Sequence, residues 1–354
     1  MSTTSKSWRG LSLLLAVFMI IAALPFALGG VRANAATQSV YYMIPVRQGD
    51  KYGYLQYQKS MGEYRVQIPL TNSFSDVKAF GPNGLAPVKS TTKGRYGFIN
   101  RNGNYVIQPQ FIRVYPFSGN GLAAVQDQKT EKWGYIDAKG NWVIRPTYDK
   151  AYPFNDGLAL VLKNWDFYFI NKNEKKQFGI PKDYNYDLPS YCYHYFVVRT
   201  SKGAGFMDES GKLIVNPDNS QFVKIGPFYS NGRQKVAVAE DRYGAWGYID
   251  GSGHWALQPT KDLDQADRFG LNGLAPATRS GKYGYIDTQY DQRPTADRFR
   301  IKPQYKDAKP FCDGGFAPVQ KTNGKWGVIN TRGQFKVPAE YDDIGDITTV
   351  IVKY

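Results

Sequence analysis

Histidine and cysteine are scarce in this chain, with two of each among 354 residues. His194 and His254 stand apart, and neither has a second histidine at the spacing of a metal-binding motif. Gly-x-Ser-x-Gly elbows and glycine-rich phosphate loops are also missing. The sequence therefore predicts no catalytic, metal-binding or cofactor-binding residues, and it favours a protein that is not an enzyme. A polysaccharide hydrolase or lyase is the enzyme alternative, because two carboxylates from distant segments can still meet.

The two cysteines are predicted to be free thiols. Cys192 lies four residues before Phe196, and Cys312 lies four residues before Phe316, so both occupy the same place in a repeated pattern. A disulfide is the usual expectation for a cysteine pair in a secreted chain. Equivalent points of separated units, however, should be farther apart than the ~7 Å that a disulfide can span.

Long apolar runs are absent except near the start of the chain. Lys6 and Arg9 precede an apolar run over residues 11–28, and Ala33-Asn34-Ala35 offers a small-x-small cleavage site. We expect residues 1–35 to be a signal peptide and residues 36–354 to form one domain that is secreted or associated with the cell wall, with no membrane span after cleavage. Retention of the run as a membrane anchor is the alternative, because its length approaches the roughly 20 residues that a spanning helix needs.

A pentad of aromatic, glycine, aromatic, aliphatic and Asp or Asn residues recurs eight times. Trp133-Gly134-Tyr135-Ile136-Asp137 is a clear copy, and one copy has decayed to residues 167–171, where Tyr168 replaces the glycine. Successive copies are 34 to 44 residues apart, which is the length of a small four-stranded sheet. No segment shows convincing helical periodicity. The signature glycines and tryptophans are Gly53, Gly97, Trp133, Gly134, Gly205, Trp246, Gly247, Gly284, Trp326 and Gly327.

Each unit holds four short apolar runs separated by turn residues, which predicts four strands, a to d. The Asp or Asn that ends the pentad begins an Asp/Asn-x-x-Gly turn between c and d, and we interpret it as turn-forming rather than catalytic or calcium-binding. Strand d is expected to end in proline, which suits strand ends and sheet edges. The glycine inside strand c gives up side-chain packing, so we expect a bulky ring from the next unit to cover it.

These residues resemble the WG-repeat family of bacterial secreted and surface proteins. The family pattern runs Phe-Ser-x-Gly-Leu-Ala-x-Val, a variable turn, Lys-Trp-Gly-Tyr-Ile-Asp-x-x-Gly, then Val-Ile-x-Pro-x-Tyr-Asp, and residues 117–148 follow it almost throughout. Departures occur at Tyr168 and at residues 288–300, where the turn between c and d is longer. The resemblance covers nearly all of residues 41–354 and implies a repeat scaffold with a binding role and no catalytic residues.

Short four-stranded units in this order predict an all-β fold, a β-propeller of about eight blades closed by both termini. The chain begins part-way through a unit, with residues 41–46, 51–55 and 64–68 as strands b, c and d. The last residues of the chain supply the first strands that this unit lacks. Strand a begins at Tyr341-Asp342, and residues 348–353 can form strand b. An open solenoid is the alternative.

The chain carries a net charge of +15, and removal of Lys6, Arg9 and Arg32 with the signal leaves +15 − 3 = +12. This surplus favours anionic surroundings, although lysines that keep strand edges soluble would also produce it. Aromatic residues make up 15% of the chain, so rings outside the pentads could stack on sugars. We predict a non-enzymatic scaffold that binds an anionic cell-wall polymer, a polysaccharide or another surface protein, and nucleic acid is not expected. A structural component of the cell envelope is the alternative.

Two segments break the repeat and are the candidate ligand loops, because function usually lies where a loop departs from its scaffold. Decay of the repeat alone would produce the same irregularity. The candidate residues are Tyr184, Tyr186, Tyr191, Tyr193 and Tyr195 in the first segment and Arg293, Arg298 and Arg300 in the second.

Overall fold

A computed structural model describes residues 38–180, 191–192 and 194–353. Within these ranges, eight antiparallel sheets follow one another along the chain and form the ring of an eight-bladed β-propeller, so the predicted fold is confirmed. Helical structure in the described part is limited to short 3₁₀ segments at Pro217–Asn219, Tyr290–Gln292 and Thr295–Asp297. No helix there has the length and apolar character needed to cross a membrane. The predicted signal peptide lies outside the described residues.

The strands are numbered β1 to β32 in chain order and grouped into blades. Blade 1 contains β1 (Gln38–Gln48), β2 (Lys51–Gln58) and β3 (Glu63–Thr71); blade 2 contains β4 (Phe74–Val77), β5 (Ala86–Ser90), β6 (Tyr96–Ile99) and β7 (Tyr105–Phe111); blade 3 contains β8 (Ala123–Gln126), β9 (Trp133–Ile136) and β10 (Trp142–Tyr148); blade 4 contains β11 (Lys150–Ala151), β12 (Leu158–Lys163), β13 (Asp166–Asn171) and β14 (Lys176–Gly179).

The second half of the ring continues the same order. Blade 5 contains β15 (Tyr191–Cys192), β16 (Tyr195–Arg199), β17 (Ala204–Asp208) and β18 (Leu213–Val215); blade 6 contains β19 (Phe222–Ser230), β20 (Lys235–Asp241), β21 (Trp246–Ile249) and β22 (Trp255–Thr260); blade 7 contains β23 (Gln265–Ala266), β24 (Leu274–Arg279), β25 (Lys282–Asp287) and β26 (Phe299–Tyr305); blade 8 contains β27 (Asp307–Ala308), β28 (Phe316–Gln320), β29 (Trp326–Asn330) and β30 (Phe335–Tyr341). The chain ends with β31 (Asp343–Ile344) and β32 (Thr348–Lys353), which return to blade 1.

Burial along each strand follows its place in the blade. All four residues of β9 are buried, because the middle strands are covered by neighbouring blades on both faces. The outer strand β7 instead alternates between buried and exposed residues. The inner strand a of blade 3 is reduced to a single bridge between Val114 and Val125. The core is therefore a series of layers between blades rather than one central cluster.

Both chain ends build blade 1 and close the ring. Strand β1 pairs with β2 along one edge, and along the other it pairs with β31 at Val46↔Ile344 and with β32 at Tyr41↔Val350. The predicted closure is confirmed. The assignment of residues 348–353 to strand b was wrong, because β1 already occupies that place and β32 continues strand a beside it.

The pentad glycine is covered by its own blade, so the expected ring from the next unit was wrong. Residues 145–147 of β10 bulge opposite Gly134, between the pairs made by Ile144 and Tyr148. A Cβ on Gly134 would lie 2.5 Å from the carbonyl oxygen of Ile144 and 2.8 Å from the nitrogen of Pro146. Proline lies inside this bulge rather than at the end of strand d, which suits a residue without an N–H to donate.

Aromatic rings do join neighbouring blades, but through the third pentad position. The ring of Tyr135 lies 4.8 Å from that of Phe154 in the next blade, and its hydroxyl donates to the carbonyl of Tyr152 at 2.8 Å. Burial of such rings contributes about 1.5 to 3 kcal/mol each. Equivalent ring pairs at 4.3 to 5.0 Å are Tyr54–Phe80, Phe98–Phe117, Phe206–Phe228, Tyr248–Phe269 and Tyr285–Phe311.

Cys312 carries a free thiol, which confirms the prediction for this residue. It lies in the a–b connection of blade 8, where burial raises the pKa of the thiol. The side chain of Cys192 lies outside the described part of the chain.

Candidate functional site

The two ends of the ring carry different connections. Strands a and c of each blade run in the same direction, so the a–b and c–d connections share one end, the turn face, and the b–c turns lie at the other, the hairpin face. On the turn face, the carboxylate of Asp137 accepts the N–H groups of Lys139 at 2.8 Å and Asn141 at 2.9 Å. The same pair of bonds recurs at Asn100, Asn171, Asp208, Asp250 and Asn330.

These Asp and Asn side chains form turns, as predicted. Partial burial raises the pKa of Asp137, but the hydrogen bonds from Asn141 and Lys139 outweigh it and the pKa is lowered. A carboxylate held in this way stays ionised and keeps its oxygens occupied by its own backbone. Among the described residues, no group of three or more His, Cys, Asp or Glu side chains is placed to hold a metal ion.

A cavity of about 390 Å³ opens on the turn face where blade 8 meets blade 1, and we name it the seam cavity. Lys59 reaches it from the c–d turn of blade 1, Arg332 from the c–d turn of blade 8, and Lys336 from β30. Asp313 is the single carboxylate among the described lining residues. The seam cavity therefore holds three positive charges against one negative charge.

Aromatic rings form the apolar part of the seam cavity. The rings of Tyr57 and Phe316 both line it, with centroids 4.6 Å apart and planes at 61°. Tyr42 packs against both rings from β1, so their positions depend on closure of the ring. A cavity with closely packed rings and with cations at its rim suits a ligand that has both an apolar face and negative charge.

Cations continue away from the seam cavity along the turn face. The c–d turns of five consecutive blades, 8, 1, 2, 3 and 4, each carry at least one lysine or arginine, and one from each blade is assigned to a row. The turn of blade 5 carries Lys212 beside Glu209, and the turn of blade 6 carries no lysine or arginine. None of the five forms an ion pair with a described acidic side chain. In ring order the five are Arg332, Lys59, Arg101, Lys139 and Lys172. This cation row extends the positive field of the seam cavity over half of the ring.

A second cavity of about 350 Å³ is lined by the inner connections of blades 1, 2, 7 and 8. Its two cations are already engaged within the protein. The guanidinium of Arg268 lies 4.4 Å from the ring centroid of Tyr229, and the ammonium of Lys309 donates to the carbonyl of Ile344 at 2.6 Å. Two aspartates also line this cavity, so it has less positive character than the seam cavity.

Of the five candidate tyrosines, Tyr195 is the one whose side chain lies in the described part of the chain. Tyr184, Tyr186 and Tyr193 lie outside the described residues, and the same holds for the side chain of Tyr191 in β15. The ring of Tyr195 lies between blades, 5.5 Å from that of Phe206 and 4.3 Å from that of Phe228. Tyr195 is therefore half-buried and packs blade 5 against blade 6.

The candidate arginines hold the widened turn of blade 7. Arg293 pairs with Asp287 at 2.7 Å, and the guanidinium of Arg298 contacts the carboxylate of Asp262 in blade 6. Arg300 lies 3.5 Å from Asp287 and has 61% of its side chain exposed. Arg293 and Arg298 thus stabilise the loop itself, and Arg300 is the one of the three that faces solvent.

An exposed tryptophan was missed by sequence reasoning. Trp165 is 89% exposed at the tip of the hairpin between β12 and β13, on the hairpin face. Its φ of 66° follows a φ of 52° at Asn164, as in a type I′ turn, which favours Asn-Gly. The left-handed conformation costs a bulky residue about 1–2 kcal/mol. The signal in the sequence was a tryptophan at the second position of the turn, where glycine is favoured. The equivalent turn of blade 7 is Ser280-Gly281, with glycine at that position.

The family model described as WG containing repeat matches residues 96–129, 133–164, 246–283, 297–326 and 326–348. No curated protein matches the chain by sequence.

Solved structures of similar fold include dihydro-heme d1 dehydrogenase NirN in complex with DHE, at 13% identity and a TM-score of 0.51, covering 88% of this chain and 75% of that chain. A eukaryotic initiation factor aligns at 10% identity and a TM-score of 0.51, covering 88% and 98%. Apo AztD from Citrobacter koseri aligns at 10% identity and a TM-score of 0.49, covering 89% and 98%. At these identities the likeness to the first two shows the fold alone.

Proposed function

Because the chain is a propeller built from WG-containing repeats, we propose that it is a non-enzymatic scaffold, exported to the cell surface, that binds a polyanion on its turn face. The seam cavity carries this proposal, since Lys59, Arg332 and Lys336 meet there with Asp313 as the single described carboxylate. The ligand class is a cell-wall polymer or polysaccharide that bears phosphate or carboxylate groups.

The cation row supports a polymer rather than a small anion. Equivalent turns repeat once per blade, and packed sheets are separated by about 10 Å, so the row offers regularly spaced charges. A polyanion could contact several of them at once, and each added contact would become intramolecular after the first. Exposed charges of this kind act mainly on association rate and weaken as salt increases.

The test compares two triple variants with the same change in net charge. Lys59→Gln/Arg332→Gln/Lys336→Gln removes the cations of the seam cavity, and Lys93→Gln/Lys129→Gln/Lys321→Gln removes three from the hairpin face. Binding of linear polyphosphate and of polygalacturonate is measured by titration calorimetry at low and high salt. We expect the first variant to bind about tenfold more weakly, equivalent to about 1.4 kcal/mol, and the second to bind as the wild type does.

An equal loss in both variants would show that net charge rather than the turn face attracts the polymer, and would overturn the proposal. The proposal would also be overturned if the wild-type protein bound neither polymer at low salt. Melting temperatures of all three proteins should agree, because the substituted side chains lie at the surface or the cavity rim.

A further inference from the structure

A groove of about 510 Å³ lies beside Trp165 at the outer rim, between blades 3 and 4. Tyr148, which is buried, and Tyr168, which is half-buried, are among the residues that line it. The ammonium of Lys163 lies 5.5 Å from the ring centroid of the first tyrosine, and that of Lys176 lies 4.6 Å from the ring centroid of the second. Tyr168 stands where other pentads have glycine, so loss of the repeat pattern places a ring in this groove.

Trp165 stands between two residues that line the groove, Asn164 and Asp166. Its side chain projects into solvent from a backbone conformation that glycine adopts more easily. Packing within the propeller does not explain a tryptophan at position 165, because 89% of the residue is exposed. We propose that Trp165 and the adjoining groove bind a neutral sugar unit of a polysaccharide.

The charges of the groove favour a neutral ligand over a polyanion. Two ammonium groups, from Lys163 and Lys176, and two carboxylates, from Asp166 and Glu174, line it, so its formal charges cancel. The hydroxyl of Tyr148 already donates to the carboxylate of Glu174 at 2.9 Å, which orients that carboxylate in the groove. Groups that donate and accept hydrogen bonds, beside the exposed ring of Trp165 and the half-buried ring of Tyr168, match the hydroxyls and the apolar C–H face of a pyranose ring.

This site is separate from the seam cavity in position and in charge. The groove lies on blades 3 and 4 and is electrically balanced, whereas the seam cavity lies between blades 8 and 1 and is positive. The protein would therefore contact a neutral sugar and a polyanion through different surfaces, and either site can fail a test without the other.

The experiment uses Trp165→Gly, which removes the ring and places in the turn the residue that suits its backbone. Binding of cello-, xylo- and chito-oligosaccharides is measured by titration calorimetry, with polyphosphate binding and melting temperature measured on the same samples. We expect oligosaccharide affinity to fall about tenfold or more, which is the effect of losing about 1.4 kcal/mol of ring contact. Polyphosphate binding should be unchanged, and the melting temperature should equal or exceed that of the wild type.

Tyr243→Ala is the matched control, because Tyr243 is 79% exposed at the corresponding turn of blade 6 and lies away from the groove. It should leave oligosaccharide binding unchanged. Gly281→Trp is a second control, which should lower the melting temperature without adding a sugar site, since φ at Gly281 is 69° and the turn belongs to another blade.

Three results would overturn the proposal. The first is a wild-type protein that binds none of the oligosaccharides, and the second is Trp165→Gly binding them as tightly as the wild type does. The third is concentration-dependent self-association that Trp165→Gly abolishes, because the ring would then serve a contact between copies of the chain.

Discussion

Single residues show how a repeat signature can be recognised while its cause is misread. Gly134 was expected to make room for a ring from the next blade, but its neighbours are the backbone of β10 and the ring of Trp142, both in its own blade. The bulge that brings this backbone close contains Pro146. The glycine and the proline of the repeat are therefore two parts of one feature, a bulged strand pressed against a residue without a side chain.

Substitution of Gly134 tests this explanation. In Gly134→Ala, the added Cβ would lie 2.5 Å from the carbonyl oxygen of Ile144, so backbone in β10 must shift. We expect a loss of about 1–3 kcal/mol in the free energy of unfolding, measured by urea denaturation.

Gly119→Ala in the same blade is the control for this change. No heavy atom lies within 4 Å of its added Cβ, so stability should change by less than about 0.5 kcal/mol. Equal effects of the two substitutions would show that crowding by the bulge is not what Gly134 avoids.

Between neighbouring secondary-structure elements, the contact from strand c of one blade to the next blade combines a ring pair with one hydrogen bond. Tyr135→Phe keeps the ring against Phe154 and removes the hydroxyl that donates to the carbonyl of Tyr152. One part-buried hydrogen bond between the blades would be lost, so we expect a loss of about 0.5–1.5 kcal/mol in the free energy of unfolding, seen as a lower melting temperature.

The reverse change, Phe98→Tyr, gives the control, because blade 2 has the ring pair with Phe117 and lacks the hydroxyl. Its stability should equal or exceed that of the wild type. A destabilised Phe98→Tyr together with an unaffected Tyr135→Phe would mean that the ring alone joins the blades.

Local patterns were enough to predict the strands and turns, and they were not enough to predict the sites. Alternating apolar residues and Asp/Asn-x-x-Gly turns are set by neighbours in the chain, so blade order and turn chemistry could be read from them. The bulge in strand d depends on pairing between two strands, and the seam cavity brings Lys59 to Arg332 only when the ring closes. The segments chosen for their irregularity proved to be partly internal, as Arg298 shows by contacting Asp262.

For the whole molecule, closure joins chain ends that no peptide bond connects, and Asp342 holds them together. Its carboxylate accepts the N–H of Gly49 in blade 1 at 2.6 Å and pairs with Lys325 of blade 8 at 2.6 Å. Asp149 makes equivalent contacts with Lys132 and with the N–H of Asn164, but it joins blades that are already consecutive in the chain. The two aspartates therefore have similar chemistry and differ in whether they close the ring.

The pH dependence of stability can separate these two roles. Lys325, followed by the N–H of Gly49, lowers the pKa of Asp342, and Lys132 likewise lowers that of Asp149. A carboxylate whose pKa is lower in the folded state stabilises it above the unfolded value of about 3.9, and this contribution disappears as the pH falls through the folded pKa. Asp342→Asn should therefore be less stable than the wild type at neutral pH and should approach it below about pH 4.

Asp149→Asn is the control, with the same change in charge and the same direction of pH dependence. Because Asp342 connects residues 293 positions apart, its loss should also weaken closure of the long loop that the pairing of β1 with β31 and β32 completes, so Asp342→Asn should be the less stable variant at neutral pH. Thermal unfolding of the three proteins across the acidic range measures both effects. Equal losses in the two variants would show that β31 and β32 hold blade 1 closed through main-chain pairing alone, with Asp342 acting only as one more inter-blade contact.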